Sequence, residues 1–146
     1  MAALTQAYEA FERPGLVVAY KVSNLKIFKG AMVGLNASGH LVAMSHGTAN
    51  LKWMGVANET IDNSAGAAGA MQLSITKSGS FVYKAASGFS PVQADIGKEV
   101  YANTDNEVQI ATAGLTNQYK VGTIVAIETT SAGSTGVRVR IDNYTV

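Results

Sequence analysis

The chain has 146 residues, no cysteine, and a formal net charge of +1 that balances 11 basic against 10 acidic residues. A chain of this length can bury a core without covalent cross-links, and without cysteine it forms neither disulfides nor thiolate metal sites. The near-neutral charge, with no basic block, gives no electrostatic reason to expect a nucleic acid or a membrane as partner. Charged residues make up 14% of the chain, so most of its polar surface is uncharged and suited to lasting contact with a neighbour.

Residues 1–15 are predicted to form an N-terminal arm, separated from the rest of the chain by a Pro-Gly pair. Residues 5–13 favour one or two helical turns, yet an isolated helix of that length is marginal in water. We therefore expect the arm to be loose in the free protein and ordered by a partner that contacts Leu4, Tyr8 and Phe11. The alternative is a short helix that docks through the same side chains on the protein's own domain. The segment has no signal-peptide pattern, so synthesis in the cytoplasm is expected.

Residues 16–146 are predicted to form a single β-barrel-like domain. Residues 16–22, LVVAYKV, are apolar, rich in β-branched side chains and bounded by turn residues, which indicates a strand. Two later segments alternate apolar and polar residues with the period of two that places one face of a strand in a core. The side chains expected in that core are Met71, Leu73, Ile75, Val137, Val139 and Ile141.

Further short strands follow one another between turns rich in Gly, Asn, Ser and Asp. This pattern predicts an all-β fold, a small antiparallel β-barrel or sandwich with an extended N-terminal arm. Residues 62–70, DNSAGAAGA, and residues 113–117 are expected to be loops. The additional strands are expected at residues 31–35, 40–44, 53–57, 80–83, 99–102, 107–111 and 119–127.

Motifs for catalysis or for cofactors are not found in the sequence. His40 and His46 have no neighbouring acidic or sulfur ligands, so we interpret both as turn or surface residues, and we expect no metal and no cofactor. No serine lies in a G-x-S-x-G elbow, and Gly97-Lys98 lacks the earlier glycine of a phosphate-binding loop. The sequence therefore favours a protein that is not an enzyme.

Acidic and aromatic residues have ordinary structural explanations. A hairpin turn at Asp105-Asn106, with Glu99 and Glu107 in solvent on its two strands, accounts for the acidic residues of this region better than an acid/base pair does. Aromatic side chains in strands usually lie in the core, although a row of exposed rings would make a carbohydrate-binding platform. The aromatic residues concerned are Trp53, Phe81, Tyr83, Phe89 and Tyr101.

The order of motifs over residues 29–141 resembles that of the capsid decoration, or cement, proteins of tailed bacteriophages. The motifs are KGAMVGLNASGHLV from Lys29, MGVANETID from Met54, ADIGKEVY from Ala94, YKVGTIVAI from Tyr119 and VRVRI from Val137. The resemblance is most specific in the pair ADIGKEVY and YKVGTIVAI, in that order. The N-terminal arm and the Ala/Gly loop at residues 62–70 are longer than in the compact members of that group.

The resemblance implies a structural virion protein, made in the host cytoplasm, that binds the outer surface of a phage head and bridges subunits of the major capsid protein. It also implies self-association on the capsid, with a trimer favoured over a dimer, and it makes Leu4, Tyr8 and Phe11 candidate capsid-binding residues. The alternative is a β-sandwich binding module for carbohydrate or cell-surface recognition, on a phage tail or a surface protein.

Overall fold

A computed structural model describes residues 15–143 of the chain. The candidate capsid-binding residues Leu4, Tyr8 and Phe11, and the arm except for its last residue, lie outside the described residues. Over the described range the chain is all-β, as the sequence predicts. Its one helical element is the short 3-10 turn at Gln93–Asp95.

The strands are short and are joined mostly by tight turns. Those foreseen from the alternating pattern are found close to their predicted bounds. Two two-residue strands, β2 and β6, are additions, because two residues are too few to show any periodicity. The strands are β1 Val17–Lys21, β2 Lys26–Ile27, β3 Met32–Leu35, β4 Leu41–Ala43, β5 Lys52–Ala57, β6 Ile61–Asp62, β7 Gln72–Thr76, β8 Ser78–Ala85, β9 Glu99–Ala102, β10 Glu107–Gln109, β11 Lys120–Thr129 and β12 Thr135–Asp142.

These strands form two main sheets and a small ribbon. The first sheet has the order β1-β7-β5-β3-β4, and the second is a closed barrel of β10-β8-β12-β11-β9. Strands β2 and β6 pair with each other. Almost all pairs are antiparallel, but β10 runs parallel to β8 where the barrel closes. A purely antiparallel arrangement is therefore not what the chain adopts.

The two sheets are two copies of one topology. We call β1, β3, β4, β5 and β7 the first unit and β8–β12 the second unit. Because the barrel of the second unit is closed, its order can be read from β8 as β8-β12-β11-β9-β10, which matches the order of the first unit strand for strand. The pairing registers match as well. Val33 opposite Gly55 in the first unit corresponds to Val100 opposite Gly122 in the second, a displacement of 67 positions for both residues.

The two units also close in the same way. In the second unit a parallel pair, Ala85 with Val108, closes the barrel. In the first unit the corresponding contact is a single parallel bridge between Val22 and Leu41. The first sheet is therefore a barrel of the same design whose seam is held by fewer contacts.

A glycine bulge recurs in both units and explains why the register is the same. A Cβ on Gly55 would lie 2.3 Å from the Thr76 carbonyl oxygen, and a Cβ on Gly122 would lie 2.2 Å from the Arg140 carbonyl oxygen. Only glycine lets the neighbouring strands approach this closely. Both glycines lie beside a register shift in the pairing with the adjacent strand.

Sequence similarity between the units is low and is concentrated at turns and bulges. Residues 30–57 and 97–124 align without a gap, and the identical pairs are Gly30 with Gly97, Val33 with Val100, Asn36 with Asn103, Gly47 with Gly114, Asn50 with Asn117, and Gly55 with Gly122. The first strands align with a different spacing and share a Tyr-Lys pair, Tyr20-Lys21 and Tyr83-Lys84.

The core confirms most of the predicted alternation. Leu73, Ile75 and the three apolar residues of β12 are fully buried. Met71 is a correction: it lies just before β7 at the end of the sheet and is 40% exposed. Of the five aromatic residues, Tyr83 is buried, whereas Trp53, Phe81 and Phe89 are partly buried against the core. Tyr101 is half-buried.

Candidate interaction surfaces

The first unit packs on the second through one face, here called the docking face, formed by Gly30, Met32, His46, Thr48 and Leu51. Met32 and Leu51 belong to the same buried cluster as the barrel strands, which makes this contact part of the core. The Met32 amide donates to the carbonyl oxygen of Asp105 at 2.7 Å, and the Gly30 carbonyl accepts from the Tyr83 hydroxyl at 3.2 Å.

The second unit meets it with a receiving face formed by Tyr83, Asn103, Asp105, Asn117 and Tyr119. The Asn117 side chain donates to the His46 carbonyl at 2.7 Å, and the Tyr119 hydroxyl donates to the Thr48 carbonyl at 2.6 Å. Most of these bonds end on backbone atoms, so the contact depends on loop shape more than on side-chain identity.

The contact between the units is head-to-tail. The His46 amide donates to the Asn103 carbonyl. A two-fold relation would require the reciprocal bond, from Ala113 to the carbonyl of Asn36. That carbonyl instead accepts from Gly39 within its own turn. The two units therefore use different faces, and each unit has one face that takes no part in this contact within residues 15–143.

The acidic residues of the second unit are held mostly by lysines. Glu99 pairs with Lys120, and Glu107 accepts from Lys84 at 2.8 Å. The hydrogen bond from Lys84 lowers the pKa of Glu107. Glu99 is in solvent as predicted, but Glu107 is half-buried, because Lys84 and Asn103 draw it against the barrel.

Asp95 and Asp105 have opposite environments. Asp95 accepts from the Lys98 side chain and from the Val92 amide, both at 2.8 Å, and these bonds lower its pKa. Asp105 lies in the predicted hairpin turn and is partly withdrawn from water, and this burial raises its pKa. The nearby Glu107 carboxylate makes a smaller contribution that also raises the pKa of Asp105.

Both histidines lie in turns, as the sequence predicts. His40 follows the β3–β4 turn, and its Nε2 is the nearest atom to the position of a Cβ on Gly69. His46 accepts from the Thr116 amide at 3.2 Å through Nδ1. Within residues 15–143, no group of three or more His, Asp or Glu side chains has the geometry to hold a metal ion.

A buried lysine joins the two units where β7 passes into β8. Lys77 is the single residue between these strands, and its ammonium group contacts the Asn143 side chain and, at 3.3 Å, the Tyr20 hydroxyl. Burial lowers its pKa. Asn143 in turn donates to the Trp53 carbonyl at 2.7 Å. This polar cluster fixes the end of β12 against the first unit, and sequence alone gave no sign of it.

The loop at residues 62–70 is anchored by a residue that the sequence reading missed. Asn63 is only 2% exposed, and its side-chain nitrogen donates to the carbonyls of Ser23 at 3.0 Å and Ala67 at 2.9 Å. The Gly69 amide donates to the Val22 carbonyl beside the seam of the first unit. The loop thus covers that seam.

The outer edge of β1 is open over most of its length. Leu16 and Val22 both bond to the β7 side, at Lys77 and Met71, so the even-numbered residues of the strand face β7. In an antiparallel pair the intervening residues then direct their N–H and C=O groups away from β7. Within residues 15–143, Val17 and Ala19 therefore present backbone groups at an exposed edge, whereas Lys21 lies at the seam beside Leu41.

The second unit carries two depressions on its outer surface. One, of about 540 Å³, is lined by Gly97, Lys98, Glu99, Tyr101, Ile110 and Ala111. The other, of about 600 Å³, includes Phe89, Val92, Ile110 and Ala113. Val92 is 56% exposed and Ile96 is 40% exposed.

Comparison with protein-family models found no match, and neither the curated proteins nor the solved structures yielded a similar chain. In the part of the chain that the structure describes, no helix is long and apolar enough to cross a membrane.

Proposed function

We propose that this chain is a structural protein of a tailed-phage virion that binds the outside of the head and stabilises the expanded capsid by bridging subunits of the major capsid protein. The role is one of contact, without catalysis or a cofactor. In this proposal the protein lies on the outer surface of the virion, and its copies also associate with one another there.

The observation that carries the proposal is the open edge of β1. It follows directly on the N-terminal arm, and its backbone groups at Val17 and Ala19 are of the kind that pair with an extended segment of another protein. Partners that add a strand gain affinity from main-chain hydrogen bonds, which need no charged surface. The neighbouring face of β7 is uncharged, with Gln72 and Ser74.

The bonds between the two units support a load-bearing role. A shell protein has to keep its shape while neighbouring subunits pull on it. Here a shared apolar cluster, the Lys77 cluster and several hydrogen bonds to backbone atoms hold the units together. Rigid elements of this kind lose little entropy when they bind, so binding energy is not spent on ordering them.

The test is co-sedimentation of purified protein with expanded phage heads that lack it, counting the copies bound per shell. We expect saturable, stoichiometric binding that survives a tenfold rise in salt, because almost no net charge is available for screening. Deleting residues 1–14 should weaken binding at least tenfold, or ~1.4 kcal/mol, while the β-domain still melts cooperatively.

A pair of variants at one edge position separates the edge from the arm. Ala19→Pro removes an amide that points away from β7, so it should block strand addition with little effect on the fold. Ala19→Val keeps that amide and is the matched control. Failure of the wild-type protein to bind heads would reject the proposed function. Equal binding by wild-type and Ala19→Pro protein would reject only the role of the edge.

A further inference from the structure

The docking face of the first unit has a counterpart on the second unit, here called the second docking face. Its residues are the equivalents 67 positions later: Gly97, Glu99, Ala113, Leu115 and Gln118. In the first unit Met32 and Leu51 are buried and His46 is half-buried at the contact with the receiving face, whereas Gly30 and Thr48 stay exposed. In the second unit all except Leu115 are exposed.

The 540 Å³ depression lies on this second docking face. Its lining includes Glu99 and Ala111, the equivalents of Met32 and Met44. Both methionines are almost fully buried, in the cluster that joins the two units. The second unit thus has an open surface depression at the positions where the first unit contacts the other barrel.

The first unit likewise carries an unused counterpart of the receiving face. This second receiving face consists of Asn36, Ser38, Asn50 and Lys52, and its last three residues are exposed. Tyr20, the equivalent of Tyr83, already contacts Lys77 within the chain. Tyr20, Asn36 and Asn50 are identical to Tyr83, Asn103 and Asn117, their equivalents in the receiving face. Of the side chains in the receiving face, these three are the ones that are identical in the two units.

We propose that a second copy of this chain places its second receiving face on the second docking face, so that copies associate head-to-tail through the same kind of contact that joins the two units within one chain. Asn50 then donates to the carbonyl of Ala113 as Asn117 does to that of His46. Lys52 takes the position of the Tyr119 hydroxyl, opposite the carbonyl of Leu115.

The chemistry of the two faces fits a reversible contact. The docking face used within the chain has two buried apolar side chains, Met32 and Leu51, at its centre. The second docking face has Glu99, paired with Lys120, in the place of a methionine. Such an ion pair has to be partly desolvated on association, which weakens binding. A heterologous contact of this kind either closes into a ring or continues as an open chain, whereas a two-fold dimer would use one face twice.

The absence of cysteine makes a direct test possible, because any disulfide must come from introduced thiols. Within the chain, Thr116 donates its amide to His46 at 3.2 Å. The equivalent pair between copies is Ala49 with Ala113, both exposed. One preparation carries Ala49→Cys and another carries Ala113→Cys, and the two are mixed under mild oxidation at high protein concentration.

We expect mixed dimers in at least about tenfold excess over the dimers that either variant forms alone, because a specific contact raises the effective concentration of its two thiols. Ala132→Cys, at an exposed alanine in the β11–β12 turn, is the control partner for Ala49→Cys and should give only background. The double variant His46→Cys/Thr116→Cys should form the same bond within one chain, which shows that the geometry is competent.

The result is independent of capsid binding, so the proposal fails or stands separately from the proposed function. Mixed dimers no more abundant than those with Ala132→Cys would overturn it. Preferential formation of Ala113→Cys dimers would also overturn it, because that outcome requires a two-fold contact. Melting curves of each reduced variant verify that the substitutions leave the fold intact.

Discussion

Replacement of Gly122 by alanine tests the bulge on which both units depend. The added Cβ would lie 2.2 Å from the Arg140 carbonyl oxygen and 2.7 Å from Val139. Contacts of a Cβ below 3.0 Å essentially do not occur. The first of these atoms belongs to the backbone of the adjacent strand, in the middle of the barrel, where it cannot move without disturbing the ladder.

The magnitude follows from two opposing effects. Overpacking of this kind costs about 1–3 kcal/mol and occasionally more, and the overlap with backbone places Gly122→Ala at the upper end. Alanine recovers roughly 0.5–1 kcal/mol of that because it restricts the unfolded chain more than glycine does. A net loss of at least ~2 kcal/mol lowers the Tm by at least about 4–8 °C for a chain of this size.

The assay is thermal melting followed by circular dichroism, with chemical unfolding to obtain the free energy. Gly47→Ala is the matched control, since its nearest neighbour would be the Ser45 hydroxyl at 3.6 Å, and it should change stability by less than about 0.5 kcal/mol. Gly55→Ala should lower the free energy of unfolding by at least as much as Gly122→Ala, because at Gly55 the steric overlap is combined with a positive φ of +149°. If the Tm of Gly122→Ala equals that of Gly47→Ala, the bulge does not require glycine and the explanation is wrong.

Three further substitutions test the core, the seam and the ion pairs. Ile75→Ala should lower the free energy of unfolding by about 2–5 kcal/mol, measured in urea, since the side chain is fully buried; a loss below about half a kcal/mol would contradict its placement. His40→Glu should place a carboxylate opposite Lys21, as Glu107 lies opposite Lys84, and raise stability by about 0.2–1 kcal/mol in the same assay at low salt; an unchanged or lower stability would reject the equivalence. The folded-state pKa of Glu107 is lowered below its ordinary 4.5, so its contribution is present above that pH and is lost as the pH falls through the folded value. Glu107→Gln should therefore reduce the acid sensitivity of the Tm below pH 5, and an unchanged profile would show that the ion pair does not contribute.

The sequence was sufficient to predict the β-class and most strands, because the signal is local. The alternating apolar residues of β12, and Leu73 and Ile75 in β7, directly predict one buried face for each strand. Met71 broke the pattern because a strand end can continue the alternation beyond the edge of the core. The parallel contact of β8 with β10 could not be read, since partners so distant along the chain leave no local pattern.

The duplication was hidden for a different physical reason. Packing requires volume and apolarity, so Leu41 and Val108 serve the same position without being identical. Positions with a backbone constraint keep their residue more often, as Gly55 and Gly122 do. Asn63 was missed because an amide that satisfies buried carbonyls looks, in sequence, like any polar residue in a small-residue loop.

The candidate site depends on what changed between the units. Met32 became buried against a neighbouring barrel, whereas its equivalent Glu99 lies in solvent and pairs with Lys120. The same backbone position thus supports either a permanent or a solvent-exposed surface, depending on whether a neighbour covers it. A barrel that already binds one copy of itself inside a chain needs few changes to bind another between chains, because the loop geometry that directs the hydrogen bonds is present in both units. That loop geometry is what the duplicated fold offers for the proposed contact between copies.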